Sequence, residues 1–116
     1  MGCKGCGDCF VKDGDDLTEH KKFVDLAYQY SKEVLSDDKT DIVILDEINN
    51  VLRLDLLRVE EVVDLIELKA EKTELILTGR EIPNEIIAQA DLVTEMNNRK
   101  HPYQERGIIS RRGIEY

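Results

Sequence analysis

Asp41-Ile42-Val43-Ile44-Leu45-Asp46-Glu47-Ile48-Asn49 is the stretch that decides the fold. Four apolar residues stand without polar alternation between charged ends, which is typical of a short strand buried on both faces of a parallel sheet. Two adjacent acids, Asp46 and Glu47, end the run. Where a parallel strand gives way to a loop, both acids can reach the crevice at the carboxyl edge of the sheet. The stretch therefore predicts an α/β protein with an acidic site at that edge.

The acid pair has two interpretations. An apolar strand ending in Asp-Glu is the Walker B pattern of P-loop nucleotide enzymes, in which one acid holds Mg²⁺ directly or through water. In the alternative, Asp46 caps the next helix and Glu47 lies in its first turn, where the helix dipole favours a negative charge. The stretch alone leaves both interpretations open.

Length and charge exclude several classes of protein. The chain has 116 residues, of which 41% are hydrophobic and 35% charged, so we expect one domain. Its 16 Lys and Arg against 25 Asp and Glu give a net charge of −9, which would repel a phosphate backbone and disfavours a nucleic-acid partner. No apolar run approaches a membrane span, and the first residues lack the apolar core of a signal peptide. We expect a cytoplasmic protein without a membrane partner.

Residues 1–14 form a segment rich in glycine and cysteine, with Cys3, Cys6 and Cys9 at C-x2-C-x2-C spacing. Glycines permit the tight turns that would bring three thiolates together on zinc or an iron–sulfur cluster. A fourth ligand is missing nearby, and His20 or an acid would have to supply it. The alternative is a loop with reduced thiols, and because the ligand set is incomplete we expect no structural metal here.

The periodicity of the remaining chain alternates between helix and strand. Helical spacing of apolar residues predicts helices over Asp15–Ser36 (capped by Asp16 or Thr18), Ile48–Leu57, Val59–Lys69 and Pro83–Ala90. Short apolar runs predict strands over Asp41–Asp46, Thr73–Leu77 and Asp91–Met96. This order predicts a parallel sheet with right-handed crossovers, so residues 15–96 form the α/β core. Residues 97–116 are expected to be a tail of loop with a short terminal strand.

Several segments together carry a family resemblance. These are Val43–Asn49, Leu77–Arg80, Ala90–Met96, Lys100–Pro102 and Gly113–Tyr116. In order and spacing, from about Gly5 to the last residue, they resemble the cob(I)alamin adenosyltransferases of the CobA type. That family moves the 5′-deoxyadenosyl group of ATP to the Co(I) of a corrinoid and releases triphosphate, on a three-layer, RecA-like P-loop fold.

The resemblance implies roles for residues at the carboxyl edge. It implies that Glu47, with Asp46, serves the Mg²⁺ on the triphosphate of ATP. It also implies that the loop Thr78, Gly79 and Arg80 faces the nucleotide crevice. The expected ligands are therefore ATP as co-substrate, Mg²⁺, and a corrinoid as acceptor.

The chain also departs from the family pattern. Members of the family open with a strand and a glycine-rich loop ending in Gly-Lys-Thr, and this sequence has no G-x-x-x-x-G-K-[ST] motif. We therefore expect a domain truncated at its N-terminus, a fragment or one half of a split enzyme. The expected protein partners are a second chain supplying the P-loop or a homodimer mate. Because backbone N–H groups and the lysine of that loop hold the triphosphate, we expect the chain alone to bind ATP weakly and to be inactive.

Two other functions remain compatible with the sequence. One is a non-catalytic module of the same fold that binds metal through Cys3, Cys6 and Cys9. The other is a degenerate P-loop ATPase relative with unrelated chemistry.

Overall fold

The computed structural model describes residues 16–108 and 113. Its elements are α1 (Thr18–Ser36), β1 (Ile42–Leu45), α2 (Ile48–Arg53), α3 (Val59–Leu68), β2 (Glu74–Leu77), α4 (Asn84–Ile87) and α5 (Pro102–Arg106). Residues 17–93 form one compact unit, which contains α1 to α4 and both strands. The described residues 94–108, with α5, belong to a second unit. No helix of the described residues has the length and apolar character needed to cross a membrane.

The strands β1 and β2 form a parallel pair, in which Ile42 lies opposite Glu74 and Leu45 opposite Leu77. The connection from β1 to β2 runs through α2 and α3, as parallel strands require. The predicted α/β class and the parallel pairing of these two strands are confirmed.

The core lies on one side of this sheet. Val43 and Leu45 of β1, with Leu75 and Leu77 of β2, pack against the cluster formed by the helices. The buried members of that cluster are Tyr28, Leu35, Ile48, Leu57, Val62, Leu65 and Ile86. Side chains alternate between the faces of a strand, so Ile42, Ile44 and Ile76 point the other way. They are 56%, 60% and 44% exposed. Within residues 17–93 we therefore observe one sheet and one helical layer.

The prediction of a third strand over Asp91–Met96 is wrong for this structure. Residues 92–98 form neither helix nor strand, and Leu92 and Met96 are 83% and 93% exposed. A strand needs a hydrogen-bonded neighbour, but β1 and β2 are paired only with each other in the described sheet. The apolar run therefore has no strand beside it to complete its backbone hydrogen bonds.

Several predicted boundaries shift. The first helix begins at Thr18 with Leu17 as its N-cap residue, rather than with Asp16 or Thr18 as the cap. The helix after β1 ends at Arg53, since residues 54–57 turn toward α3, and the helix after Pro83 ends at Ile87. The tail contains the short helix α5, which the sequence did not predict. The predicted terminal strand and the Cys3, Cys6 and Cys9 segment lie outside the described residues.

Two polar contacts fix the start of α3 and the start of β2. The Glu61 carboxylate accepts a hydrogen bond from the backbone N–H of Arg58 at 2.9 Å, within a capping box at the start of α3. This hydrogen bond is the main reason that the pKa of Glu61 lies below its usual value. At the start of β2, the fully buried Thr73 donates its hydroxyl to the carbonyl oxygen of Thr40 at 2.8 Å.

Candidate functional site

The candidate site lies at the carboxyl ends of the two strands. Because Leu45 and Leu77 are opposite each other, the residues that follow them leave the sheet at the same edge. The backbone N–H of Thr78 donates to the carbonyl oxygen of Leu45 at 3.2 Å, and the N–H of Ile48 donates to the carbonyl oxygen of Thr78 at 3.0 Å. These bonds hold the two loops side by side. We call residues 46–47 and 78–80 the acidic edge.

The Thr78 hydroxyl joins the two acids of the acidic edge. It donates a hydrogen bond to Oδ1 of Asp46. It also accepts a hydrogen bond from the backbone N–H of Glu47 at 2.9 Å. Since one hydroxyl serves both residues, Thr78 fixes the position of the Asp46 carboxylate and of the Glu47 backbone.

Glu47 has an unusual backbone conformation. It is the N-cap residue of α2, with φ of 53° in the left-handed region, and its side chain makes no capping hydrogen bond. For a residue other than glycine this conformation is disfavoured, and such residues occur often at functional sites. The carboxylate instead accepts a hydrogen bond from Nδ2 of Asn50 at 2.8 Å. The alternative in which Asp46 caps α2 and Glu47 lies in its first turn is therefore wrong.

Gly79 is required by a close approach to α2. A Cβ atom on Gly79 would lie 2.3 Å from Oδ1 and 2.8 Å from Cγ of Asn49, and its φ is +156°. Only a residue without a side chain fits this position without displacing Asn49. Arg80 follows with an exposed side chain. The structure thus places all five predicted site residues at one edge of the sheet.

The sequence reasoning missed Asn49 and Asn50. Asn50 holds the Glu47 carboxylate, and Asn49 sets the space next to Gly79. Asn50 lies three residues after Glu47, a spacing at which side chains meet on a helix. That spacing was the available signal, and it becomes informative once the start of α2 is known.

A cavity of about 170 Å³ lies next to the acidic edge, between α1 and the start of α2. Asp46 and Glu47 are among its lining residues, and most of the rest are apolar. Tyr28 of α1 also lines it. Burial raises the pKa of the Tyr28 phenol, with a further contribution from the negative charges of Asp64 and Glu61. The phenol therefore remains protonated at neutral pH.

The oxygen atoms of the acidic edge suit a hard cation that is also bound by water and by the substrate. Two carboxylates and a hydroxyl are oxygen donors, which Mg²⁺ prefers, and Mg²⁺ sites typically take one or two carboxylates with water and substrate phosphates. Among residues 16–108 and 113, no group of three or more His, Cys, Asp or Glu side chains is placed to enclose a metal ion. The residues therefore fit a shared magnesium site and do not form a closed protein cage.

Comparison with known proteins gives a consistent result. The model of the family described as ATP:corrinoid adenosyltransferase BtuR/CobO/CobP matches residues 1–116. A corrinoid adenosyltransferase of a Sinorhizobium species is 38% identical over 111 residues, 95% of this chain and 51% of the relative. The corrinoid adenosyltransferase of Escherichia coli K12 is 34% identical over 90 residues, 78% of this chain and 45% of the relative. An uncharacterized protein of a Nostoc species, all2391, is 40% identical over 76 residues, 66% of this chain and 20% of the relative.

The chain spans about half the length of the curated adenosyltransferases that it matches. Their other half has no counterpart in this sequence.

Proposed function

This chain belongs to the ATP:corrinoid adenosyltransferase family BtuR/CobO/CobP, and we propose that it provides the acidic half of an adenosyltransferase active site. The proposed reaction transfers the 5′-deoxyadenosyl group of ATP to the Co(I) of a corrinoid. In it the cobalt contributes an electron pair to C5′, the C5′–O bond breaks, and triphosphate leaves. ATP and reduced corrinoids are intracellular, so we place this activity in the cytoplasm.

One observation carries the proposal: Asp46, Glu47 and Thr78 meet through hydrogen bonds at the carboxyl ends of paired parallel strands. Ligands of open α/β sheets bind at this edge of the sheet. The hydrogen bonds from Thr78 to Asp46 and from Asn50 to Glu47 also hold the two carboxylates in position before any ligand binds. Such positioning reduces the cost of ordering the site during the reaction.

Asp46 and Glu47 are the residues that would hold Mg²⁺. Thr78 and Asn50 would position the two carboxylates, since each already donates a hydrogen bond to one of them. When bound, the ion neutralises part of the triphosphate charge and stabilises it as a leaving group. Gly79 leaves room beside Asn49, and Arg80 brings a positive charge to the loop that would face the phosphates.

ATP binding requires more than the acidic edge. The chain has a net charge of −9, and two adjacent carboxylates repel a triphosphate unless cations intervene. The sequence has no glycine-rich Gly-Lys-Thr loop to donate backbone N–H groups to the phosphates. We propose that a segment corresponding to the other half of the relatives supplies this loop, either in the same polypeptide or on a second, different chain.

The bare face of the sheet supports the need for such a segment. Ile42, Ile44 and Ile76 leave a contiguous apolar surface exposed, and the outer edges of β1 and β2 have no strand partner in the described sheet. A helical layer over this face and further strands at the edges would give the three-layer, RecA-like fold.

The decisive test is a chimera. In it, this chain replaces the stretch that it matches in the Sinorhizobium relative, so that the relative supplies the remaining half. We expect the chimera, with Mg-ATP and a chemically reduced corrinoid, to form the cobalt–carbon bond with release of triphosphate, followed by the corrinoid absorbance spectrum. A folded chimera without this activity would contradict the proposal.

Variants of the chimera test the role of Glu47 in magnesium binding. Glu47→Gln removes a negative oxygen ligand while it keeps the shape of the side chain, so we expect kcat/KM to fall at least about a hundredfold, as is typical when a group that stabilises charge in the transition state is removed. Glu81→Gln is the matched control, because Glu81 is an exposed acid just after the acidic edge with the same left-handed backbone. Equal activity of the two variants would show that Glu47 does not serve the magnesium ion.

A further inference from the structure

Asn49 lies beside the acidic edge and carries an amide group that the described chain does not use. It is the second residue of α2, and its side chain is half-buried. Within the part of the chain that the structure describes, no hydrogen bond involves the side-chain amide of Asn49. Its neighbour Asn50 differs, because Nδ2 of Asn50 donates to the Glu47 carboxylate. Of two adjacent asparagines, one therefore positions an acid and the other has an unused donor and acceptor.

The unused amide of Asn49 is accessible from solvent. Among the described residues, every fully buried nitrogen or oxygen atom on a buried or half-buried side chain has a hydrogen-bond partner. Since the two polar atoms of the Asn49 amide have no such partner, neither of them is fully buried. Solvent, and hence a ligand, can reach the amide without movement of α2.

The contact with Gly79 orients the Asn49 amide. A Cβ atom on Gly79 would lie 2.3, 2.8 and 3.1 Å from Oδ1, Cγ and Cβ of Asn49, which are its nearest heavy atoms. The carbonyl oxygen of the amide thus lies against Gly79, and the amino group lies farther away. Nδ2, an uncharged N–H donor, is therefore the atom with room for a ligand.

We infer that Asn49 binds the triphosphate of ATP, with Nδ2 donating a hydrogen bond to a phosphate oxygen. This inference rests on the proposed function, in which Asp46 and Glu47 hold the Mg²⁺ of the triphosphate. Asn49 lies two residues after Glu47 and against Gly79, so a triphosphate between those acids and the loop 78–80 is within reach of its side chain. Phosphate oxygens accept hydrogen bonds, and asparagine is one of the side chains that commonly donates to them.

An uncharged donor suits this place on the chain. It attracts a phosphate oxygen without a positive charge that would compete with Mg²⁺ for Asp46 and Glu47. The triphosphate gains negative charge as the C5′–O bond breaks, so a donor held on it also stabilises the leaving group. Gly79 acts through Asn49 as a positioning residue, because a side chain at position 79 would displace the amide.

The affinity of the chimera for inorganic triphosphate with Mg²⁺, measured by titration calorimetry, tests the inference. Asn49→Ala removes the donor and should weaken the binding of triphosphate and of ATP by the same factor, about ten- to a hundredfold, as expected for a hydrogen bond to a charged group. Asn84→Ala is the matched control, since it removes an exposed amide from the start of α4, and it should leave both affinities unchanged. The KM for the corrinoid should stay the same in both variants.

Asn49→Asp separates a phosphate contact from a packing role. This variant keeps the shape of the side chain against Gly79 but replaces the donor by a negative charge. A phosphate contact predicts that Asn49→Asp binds triphosphate more weakly than Asn49→Ala does. Packing alone predicts the reverse order, with Asn49→Asp close to the parent, and that result would overturn the inference. Urea unfolding confirms that each variant is folded under the conditions of the titration.

The positioning role of Gly79 is tested in the same assay. Gly79→Ala should weaken triphosphate binding when Asn49 is present. It should have little further effect in the double variant Gly79→Ala/Asn49→Ala, because the amide that it displaces is then already absent. Additive losses would overturn the role of Gly79 as a residue that acts through Asn49.

The outcomes distinguish this inference from the proposed function. An active chimera that loses activity in Glu47→Gln but keeps the parental triphosphate affinity in Asn49→Ala would overturn the inference alone. A folded chimera without any adenosyltransferase activity would contradict the proposed function, and this inference with it.

Discussion

The two faces of the β1–β2 sheet come from the same eight strand residues but have different surroundings. Val43, Leu45, Leu75 and Leu77 pack against the helices, and on this side the chain forms its buried core and its capped turns. On the other side, Ile42, Ile44 and Ile76 remain exposed. Apart from Glu74 on the exposed side, both faces are apolar in sequence, so composition alone does not determine which face is covered. The covered face is stabilised by this chain itself, whereas the bare face is the one that the proposed helical layer would cover.

The largest expected effect comes from truncating the covered side. Leu35 of α1 is completely buried, so Leu35→Ala should lower the free energy of unfolding by about 2–5 kcal/mol, through lost apolar burial and the cavity left behind. Ile44→Thr on the bare face keeps the β-branched shape and should change it by less than about 0.5 kcal/mol. Urea unfolding measures both values. Similar losses for the two variants would mean that the sheet is already covered on both sides in solution.

The next largest loss of stability is expected at the contact between Gly79, which follows β2, and Asn49 of α2. Gly79→Ala places a methyl group against Asn49 in a backbone conformation that alanine rarely adopts, so we expect a loss of about 1–3 kcal/mol. Gly107→Ala serves as the control, because its φ is also positive but no atom lies within 4 Å of the added carbon. In the double variant Gly79→Ala/Asn49→Ala, part of the lost stability should return. If it does not, the contact with Asn49 is not the cause of the loss in Gly79→Ala.

A smaller effect is expected from the buried hydroxyl at the start of β2. Thr73→Val removes the hydrogen bond to the carbonyl oxygen of Thr40 with little change of volume, and should destabilise the chain by about 1 kcal/mol. Thr94→Val, at an exposed position, should have no measurable effect on thermal unfolding. A Thr73→Val protein as stable as the parent would show that the Thr40 carbonyl finds another donor.

The smallest effect concerns pH. The pKa of Glu61 is lowered, from an ordinary value near 4.5, mainly by the hydrogen bond from the Arg58 backbone. A group whose pKa is lower in the folded state stabilises the fold above its unfolded pKa, and this stabilisation is lost as the pH falls through the folded pKa. Glu61→Gln should therefore make the free energy of unfolding less dependent on pH below about 5. A Glu61→Gln protein with the same pH dependence as the parent would contradict this explanation.

Short-range signals in the sequence were sufficient for the part of the fold that the chain completes by itself. The apolar run 42–45 and the acids that follow it predicted β1 and the acidic edge, because both depend on local order along the chain. The run 91–96 looked similar but forms no strand, since strand formation depends on a neighbour that local sequence cannot reveal. The Asn49 and Asn50 contacts were missed for a different reason. They depend on where α2 begins. The N-cap residue of α2, Glu47, has a left-handed backbone conformation that no local sequence pattern predicts.

The most direct measurement of the central claim is a calorimetric titration with Mg-ATP. The chain alone should show no micromolar binding, because its acidic edge lacks a phosphate-binding loop and the chain carries a net charge of −9. The chimera with the Sinorhizobium half should bind Mg-ATP, and Glu47→Gln should weaken that binding more than Glu81→Gln does. Micromolar Mg-ATP affinity of the isolated chain, unaffected by Glu47→Gln, would contradict the account.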